Sequence, residues 1–225
     1  MRLSIVIPVG PGEQAWRELL PDLAPLEGEA EIVLVAVTGG TPAGFEAAEF
    51  GLTAPTRWLE SPAGRARQLN AGARAARGER LCFLHADSRL PRVSLDTLRQ
   101  TRFGENTLHY FDLRFLPDGP ALMRLNRTGA RLRSRWLGMP FGDQGLALRR
   151  SLFERLGGFD ETIACGEDHA LVWRARRAGV RLVPFDAPLL SSARRYAVHG
   201  WWRTTARHLW LTAKQALRFS RTGAR

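Results

Sequence analysis

The chain has almost no lysine: of 33 basic residues in 225, only Lys214 is not arginine. That bias carries little functional signal by itself. Cysteine is also scarce. Two residues, Cys82 and Cys165, build neither a disulfide framework nor a four-ligand zinc site, and both read as space fillers. No apolar run reaches the ~18 residues that a bilayer span needs. The opening MRLSIVIPV runs straight into glycine and proline, with no long apolar core and no small-residue cleavage site. No signal peptide is expected, and a cytoplasmic location is the expectation. Several motifs are missing as well. There is no P-loop, no GxGxxG dinucleotide fingerprint and no GxSxG nucleophile elbow, which moves serine hydrolases and nicotinamide oxidoreductases well down the order.

What is present suits one domain, or one domain with a small appendage. Apolar residues make up 44%, enough for a full core. Charge is uneven. Residues 1–112 carry 12 basic and 14 acidic side chains, residues 113–225 carry 21 and 8, and from Ala193 onward there are eight basic residues and no acid. A basic half suits nucleic acid, anionic lipid or a phosphorylated small molecule. Without a zinc finger, RRM signature or clear helix-turn-helix, nucleic acid is the least favoured of these.

The pattern alternates. Buried strands are expected at 3–9 (LSIVIPV), 31–37 (EIVLVAV), 57–59 and 80–84, with helices at 14–26 and 63–77 between them. Further strands are expected at 107–116, 145–149 and 180–183, and helices at 121–137, 151–156, 167–178 and 203–219. This is an α/β fold with a mostly parallel central sheet flanked by helices. Ligands in such sheets bind beyond the carboxyl ends of the strands, so loops 10–13, 38–41 and 85–88 should share one edge.

Five groups of residues stand out. Asp87 follows an apolar strand at that edge, where a carboxylate can hold a divalent ion or simply cap a loop. His85, two residues earlier, is a second ligand, an orienting group or a satisfied buried histidine. Glu167-Asp168 opens a helix, whose dipole favours ionised acids; Asp168 can then accept a proton, or the pair is ordinary helix-start chemistry. Arg194-Arg195, read as non-helical, offers guanidinium forks to phosphate or is a solvated surface. Gly142-Asp143-Gln144-Gly145 lines a pocket or makes a turn. Arg65 and Gln68, three apart on a helix, can face one ligand together with Asn70.

Taken in order, SIVIPV, GRARQLNAGARAARGERLCFLHADSRLP, GDQG, GGFDE, GEDHALVWRARRAG and SSARRY resemble a family-2 type glycosyltransferase of GT-A fold. More narrowly, they resemble the small bacterial group of radical-SAM/selenodomain-associated glycosyltransferases. The likeness covers roughly residues 3–215. It implies a nucleoside-diphosphate sugar donor, an acceptor hydroxyl on a glycan, lipid or small metabolite, and Mg²⁺ or Mn²⁺. It makes Asp87 the principal metal ligand, with His85 standing where the family has an Asp. It makes Asp168 the general base of the Glu167-Asp168 pair, puts Asp143 and Gln144 near sugar and acceptor, and sets Arg194 and Arg195 near the leaving diphosphate. Pro8, Thr38, Arg65, Gln68 and Asn70 fall on the donor side. One displacement at the anomeric carbon would invert configuration. The chain departs from the family in two loops. Thr38-Gly39-Gly40-Thr41 replaces a pattern like Asp-Gly-Gly-Ser, and after Pro8 the usual Asn-Glu is missing, with Glu13 as its stand-in.

The division expected is a catalytic domain over 1–200 and a basic amphipathic helix over 201–225. On that helix Trp202, Ala206, Leu209, Ala213 and Leu217 form one apolar face, widened by Trp201, Trp210 and Phe219. Packing on the domain is the first expectation for this face, and contact with an anionic membrane or with a second copy are the others. Two further functions remain in play: a non-catalytic nucleotide-sugar-binding or lipid-associated protein, and a sugar-phosphate nucleotidyltransferase.

Overall fold

The computed structural model describes residues 2–28 and 30–221. Eight strands form one sheet in the order β3-β2-β1-β4-β7-β6-β8-β5. β1 (Leu3–Val9) is fully buried and lies at its heart, between β2 (Ala30–Val37) and β4 (Arg80–Phe83), parallel to both. β3 (Thr56–Ser61) extends the parallel half. β7 (Leu146–Arg149) runs antiparallel to β4 and to β6 (Thr107–Phe115), and β6 is parallel to β8 (Arg181–Ser191). The two-residue β5 (Ser88–Arg89) closes the far edge antiparallel to β8. The parallel strands are apolar runs because helices cover both faces.

On one face lie α1 (Trp16–Leu19) and α3 (Arg92–Gln100). On the other lie α2 (Arg65–Ala75), α5 (Arg150–Arg155) and α6 (Glu167–Arg177). α2 settles close to β1 and β2 because residue 72 is glycine. A Cβ there would collide with Val6 Cγ1 and sit 3.0 Å from Val35 Cγ2. The close approach carries the start of α2 to the carboxyl ends of the strands. α4 (Met123–Trp136), α7 (Arg194–His199) and α8 (Trp201–Arg221) pack at the β6–β8 side.

Four expectations change. The helix at 14–26 is one short α-turn and then a 3₁₀ turn at Leu20–Leu23, because Pro21 cannot donate to a continuing helix. α3 and β5 were not anticipated. The strand at 180–183 runs on to Ser191 through Pro184 and Pro188. It survives because β5 covers only its last residues, leaving most of β8 an edge strand where proline is tolerated, and a bulge near Asp186 (φ 53°) absorbs the irregularity. Finally, Arg194 and Arg195 begin a helix. Its start is stabilised from a distance: Asp118 accepts hydrogen bonds from the Ser192 hydroxyl (2.6 Å) and the Ala193 N–H (2.8 Å).

Candidate active site

Because β1, β2 and β4 are parallel neighbours, their following loops share one edge. β4 leads into His85-Ala86-Asp87, and the Ser88 N–H donates to the His85 carbonyl to close that turn. A 3₁₀ turn at Gly142–Gln144 precedes β7 and comes to the same place. The first turn of α6 supplies Glu167 and Asp168. The pieces meet tightly at Gly142: a Cβ added there would lie 3.0 Å from both His85 Nε2 and Asp168 Oδ2. A side chain there would press the two groups apart by a few tenths of an ångström.

Asp168 is anchored through both oxygens. Oδ2 accepts the Gly142 N–H (2.5 Å) and Oδ1 accepts the His169 N–H (2.9 Å). Burial pushes its pKa up, but His169, the two backbone N–H groups and Arg65 outweigh it, so the carboxyl is held below its usual range. Asp143 goes the other way. Burial raises it to about 6, Asp168 and Asp87 push in the same direction, and Arg133 opposes them. Its Oδ1 is buried without a hydrogen-bond partner among the described residues. Burial, followed by Arg65 and Arg195, lowers His85 to about 4, against the pull of Asp87 and Asp168. The imidazole is therefore neutral near pH 7. Glu167 corrects the expectation that both acids stay readily ionised. Burial and its neighbour Asp168 raise its pKa, while Arg65 Nε, 3.4 Å from its Oε1, partly compensates.

Arg65 thus ties α2 to α6, and with Glu167 it borders a cleft of about 390 Å³ lined also by residues 63–67 and 161–164. A larger cavity of about 540 Å³ lies at the opposite, amino-terminal edge of the strands, around Leu3, Ala30 and Arg80, and contains none of these groups. Arg195 reaches the site electrostatically. Arg194 does not join it, since its Nε donates to the Ser192 hydroxyl at 3.0 Å on the exposed side.

Other candidate ligand contacts are hydrogen-bonded within the protein. Gln68 is buried and its Nε2 donates to the carbonyls of Val9 (2.8 Å) and Val35 (2.7 Å), bracketing the ends of β1 and β2. Asn70 exchanges hydrogen bonds with the Phe159 backbone and donates to Glu161. Gln144 accepts from Ser134, Arg133 and the Phe141 N–H and donates to the Phe111 carbonyl. These hydrogen bonds hold the walls in place. Pro8 is buried within β1 opposite Val35. Glu13 accepts the Ala15 N–H at 2.7 Å, and Thr38 is exposed and donates to the Ser61 carbonyl.

Two residues escaped the sequence. Arg133 of α4 lies with its guanidinium over the Phe141 ring, 3.2 Å from the centroid, and draws on Asp143. Nothing in a run of five helical arginines singles it out. Glu60, near the end of β3, brings a carboxylate to the 38–41 loop, where it accepts the Thr41 hydroxyl at 2.9 Å and the Gly39 N–H. Only the β2–β3 pairing, which sets Ala36 beside Glu60, makes that visible.

Among the described residues, no three His, Cys, Asp or Glu side chains stand close enough to chelate a metal unaided. The donor set does not suit a structural zinc. It fits a hard divalent ion that keeps its waters and shares phosphate oxygens with a substrate, since such an ion asks for only one or two protein carboxylates. Asp87 stands at this edge, close enough for its charge to act on both His85 and Asp143.

This is the architecture of the GT-A glycosyltransferases. The 1–349 fragment of TarS from S. aureus, solved with UDP-GlcNAc, matches with a TM-score of 0.64 at 19% identity, over 86% of this chain and 59% of that one. The mannosyltransferase PcManGT from Pyrobaculum calidifontis, solved with GDP-Man and Mn²⁺, matches with a TM-score of 0.66 at 20% identity, over 96% of this chain and 64% of that one. The chain therefore spans less than two thirds of the length of either. No family model matches it, and no curated protein does.

Proposed function

We propose that the protein is a nucleotide-sugar glycosyltransferase that moves a sugar from a nucleoside diphosphate to an acceptor hydroxyl with inversion. The observation that carries this reading is the meeting of Asp168, Asp143 and His85 around Gly142, at the strand edge that also bears Asp87, Arg65 and Arg195. The fold shared with TarS and PcManGT supports it, and so does the order of motifs that resembles the radical-SAM/selenodomain-associated group.

Asp168 stays a carboxylate across the working pH range and faces the site with its geometry set by two backbone donors. It accepts the acceptor's proton as the hydroxyl attacks the anomeric carbon. Its low basicity is tolerable because the hydroxyl becomes strongly acidic only as the new bond forms. Arg65 and Arg195 attract the diphosphate and stabilise the charge that gathers on it. Asp87, with His85 beside it, would hold Mg²⁺ or Mn²⁺, which would supply positive charge for a diphosphate. Asp143 sits half-buried with an unpaired oxygen, suited to hold a sugar or acceptor hydroxyl. Glu167 orients Arg65.

A release assay tests this. The protein is mixed with Mg²⁺ or Mn²⁺ and UDP-, GDP-, ADP- and dTDP-sugars, and free nucleoside diphosphate is followed. The expected result is release from one donor, reduced about a hundredfold or more in Asp168→Asn and also abolished in Asp87→Asn. Donor binding without release, in the presence of acceptor extracts, favours a non-catalytic binding protein. Pyrophosphate release from a nucleoside triphosphate and a sugar phosphate favours a nucleotidyltransferase.

A further inference from the structure

α8 meets the domain with the wrong face for an ordinary amphipathic helix. The residues it turns inward are Trp201, Thr204 and Thr205. Trp201 Nε1 donates to Asn126 Oδ1 at 2.7 Å, and Asn126 Nδ2 reaches Thr205 Oγ1 at 3.2 Å. The apolar stripe points away: Trp202 is 77% exposed and Leu209 66%, with Ala206 and Ala213 open between and beyond them. Of the face expected to pack on the domain, Trp201 does so, while Trp202, Leu209 and Trp210 are exposed; the side chains of Leu217 and Phe219 lie outside the described residues. The reason is the partner surface. α4 presents Asn126 there, which takes hydroxyls and an indole N–H better than it takes leucine.

α4 itself repeats the arrangement. It buries Met123, Ala130 and Ser134 and exposes Leu125, Leu132 and Trp136 at helical spacing, the last to 83%. Beside each apolar stripe runs a cationic one. Arg124, Arg127 and Arg131 on α4, and Arg203 and Arg207 on α8, are exposed and make no ion pair among the described residues. Lys214 Nζ sits 4.9 Å from the Trp210 ring centroid. Neither helix carries an acidic residue. No described helix is long and apolar enough to cross a membrane.

We propose that the exposed side of α4 and α8 docks on an anionic lipid bilayer. Leu125, Leu132, Trp136, Trp202, Leu209 and Trp210 enter the interface, and the unpaired arginines meet lipid phosphates. Charge decides the occupant. A second copy of this chain would bring arginine against arginine across a two-fold contact, which repels. An anionic bilayer answers both stripes at once, apolar area to the acyl boundary and guanidinium to phosphate, and indole rings favour that depth. The inference stands apart from the transferase reading, because it needs no turnover.

The test is co-sedimentation of the full chain with vesicles of phosphatidylcholine alone and of phosphatidylcholine with phosphatidylglycerol, read with tryptophan emission. Binding to the mixed vesicles only, weakened by salt and accompanied by a blue shift, is the expected result. Trp202→Ser with Leu209→Ser should lower partitioning about tenfold or more. Arg203→Gln and Arg207→Gln should lower it about fivefold per charge. These side chains are exposed, so circular dichroism should match the parent. Failure of the parent protein to bind mixed vesicles overturns the proposal. So does a stable dimer in sedimentation equilibrium that the Trp202/Leu209 pair of changes dissolves.

Discussion

Replacing Asp143 by Asn should make the protein more stable at neutral pH. In the folded state burial holds this carboxyl near a pKa of about 6, against 3.8 for a free aspartate. Below pH ~3.8 both folded and unfolded chains keep the proton and the side chain contributes no difference. As the pH rises towards 6 the unfolded chain ionises first, so relative stability is lost. Above about 6 the loss is complete, and the gap is worth ~3 kcal/mol at 1.36 kcal/mol per pH unit. The attraction of Arg133 is already contained in that value, since it is one of the forces that set the folded pKa. Asn keeps the shape and removes the ionisation. Urea unfolding of Asp143→Asn in chelator should show a gain approaching this size at pH 8, a rise of roughly 6–12 °C in Tm, shrinking to about 0.5 kcal/mol at pH 4 and to nothing by about pH 3. Turnover should fall in the same variant, the common exchange of function for stability at a strained site. A gain that does not depend on pH, or a loss at pH 8, refutes the account of Asp143 as a carboxylate held against its solvation.

Gly142→Ala places a methyl 3.0 Å from His85 Nε2 and Asp168 Oδ2, so one of them must move. Nucleoside diphosphate release should drop on the order of tenfold to a hundredfold while the circular dichroism spectrum stays that of the parent; full activity would show that the close contact is dispensable. His109, stacked at 5.0 Å on Phe185, is lowered to about 4 by burial and then by Arg181. A histidine depressed in the fold loses stability as pH falls from its unfolded value of ~6.5 towards 4, by up to about 3 kcal/mol. His109→Phe keeps a ring between Phe103 and Phe185 and should make the fall of the urea midpoint across that window shallower, leaving the part that His85 contributes; an unchanged slope would place the titration elsewhere.

Seven of the eight strands, several of the helices that alternate with them, and the edge where the titratable groups collect are readable from the letters alone. Apolar runs such as SIVIPV and EIVLVAV cannot be exposed, and a parallel pair of them forces the following loops to one side. The places of Asp87 and Asp168 were legible because each follows or opens an element whose direction the pattern already sets. The tertiary structure alone decided the rest. Gln68, Asn70 and Gln144 look like ligand contacts in a string of letters. Which partner an amide takes depends on backbone groups dozens of residues away, and here those groups claim it. Asp118 starts the helix of Arg194 and Arg195 from 75 residues upstream. Asp143 and Asp168 are both plain aspartates in the sequence. Burial with an unpaired oxygen and anchoring by two N–H groups push them apart, and neither effect has a local signature. The outward stripe of α8 shows the same limit. Amphipathic spacing says that a helix has two faces. Which face meets the domain depends on the neighbour, and a surface built around Asn126 chose the threonines.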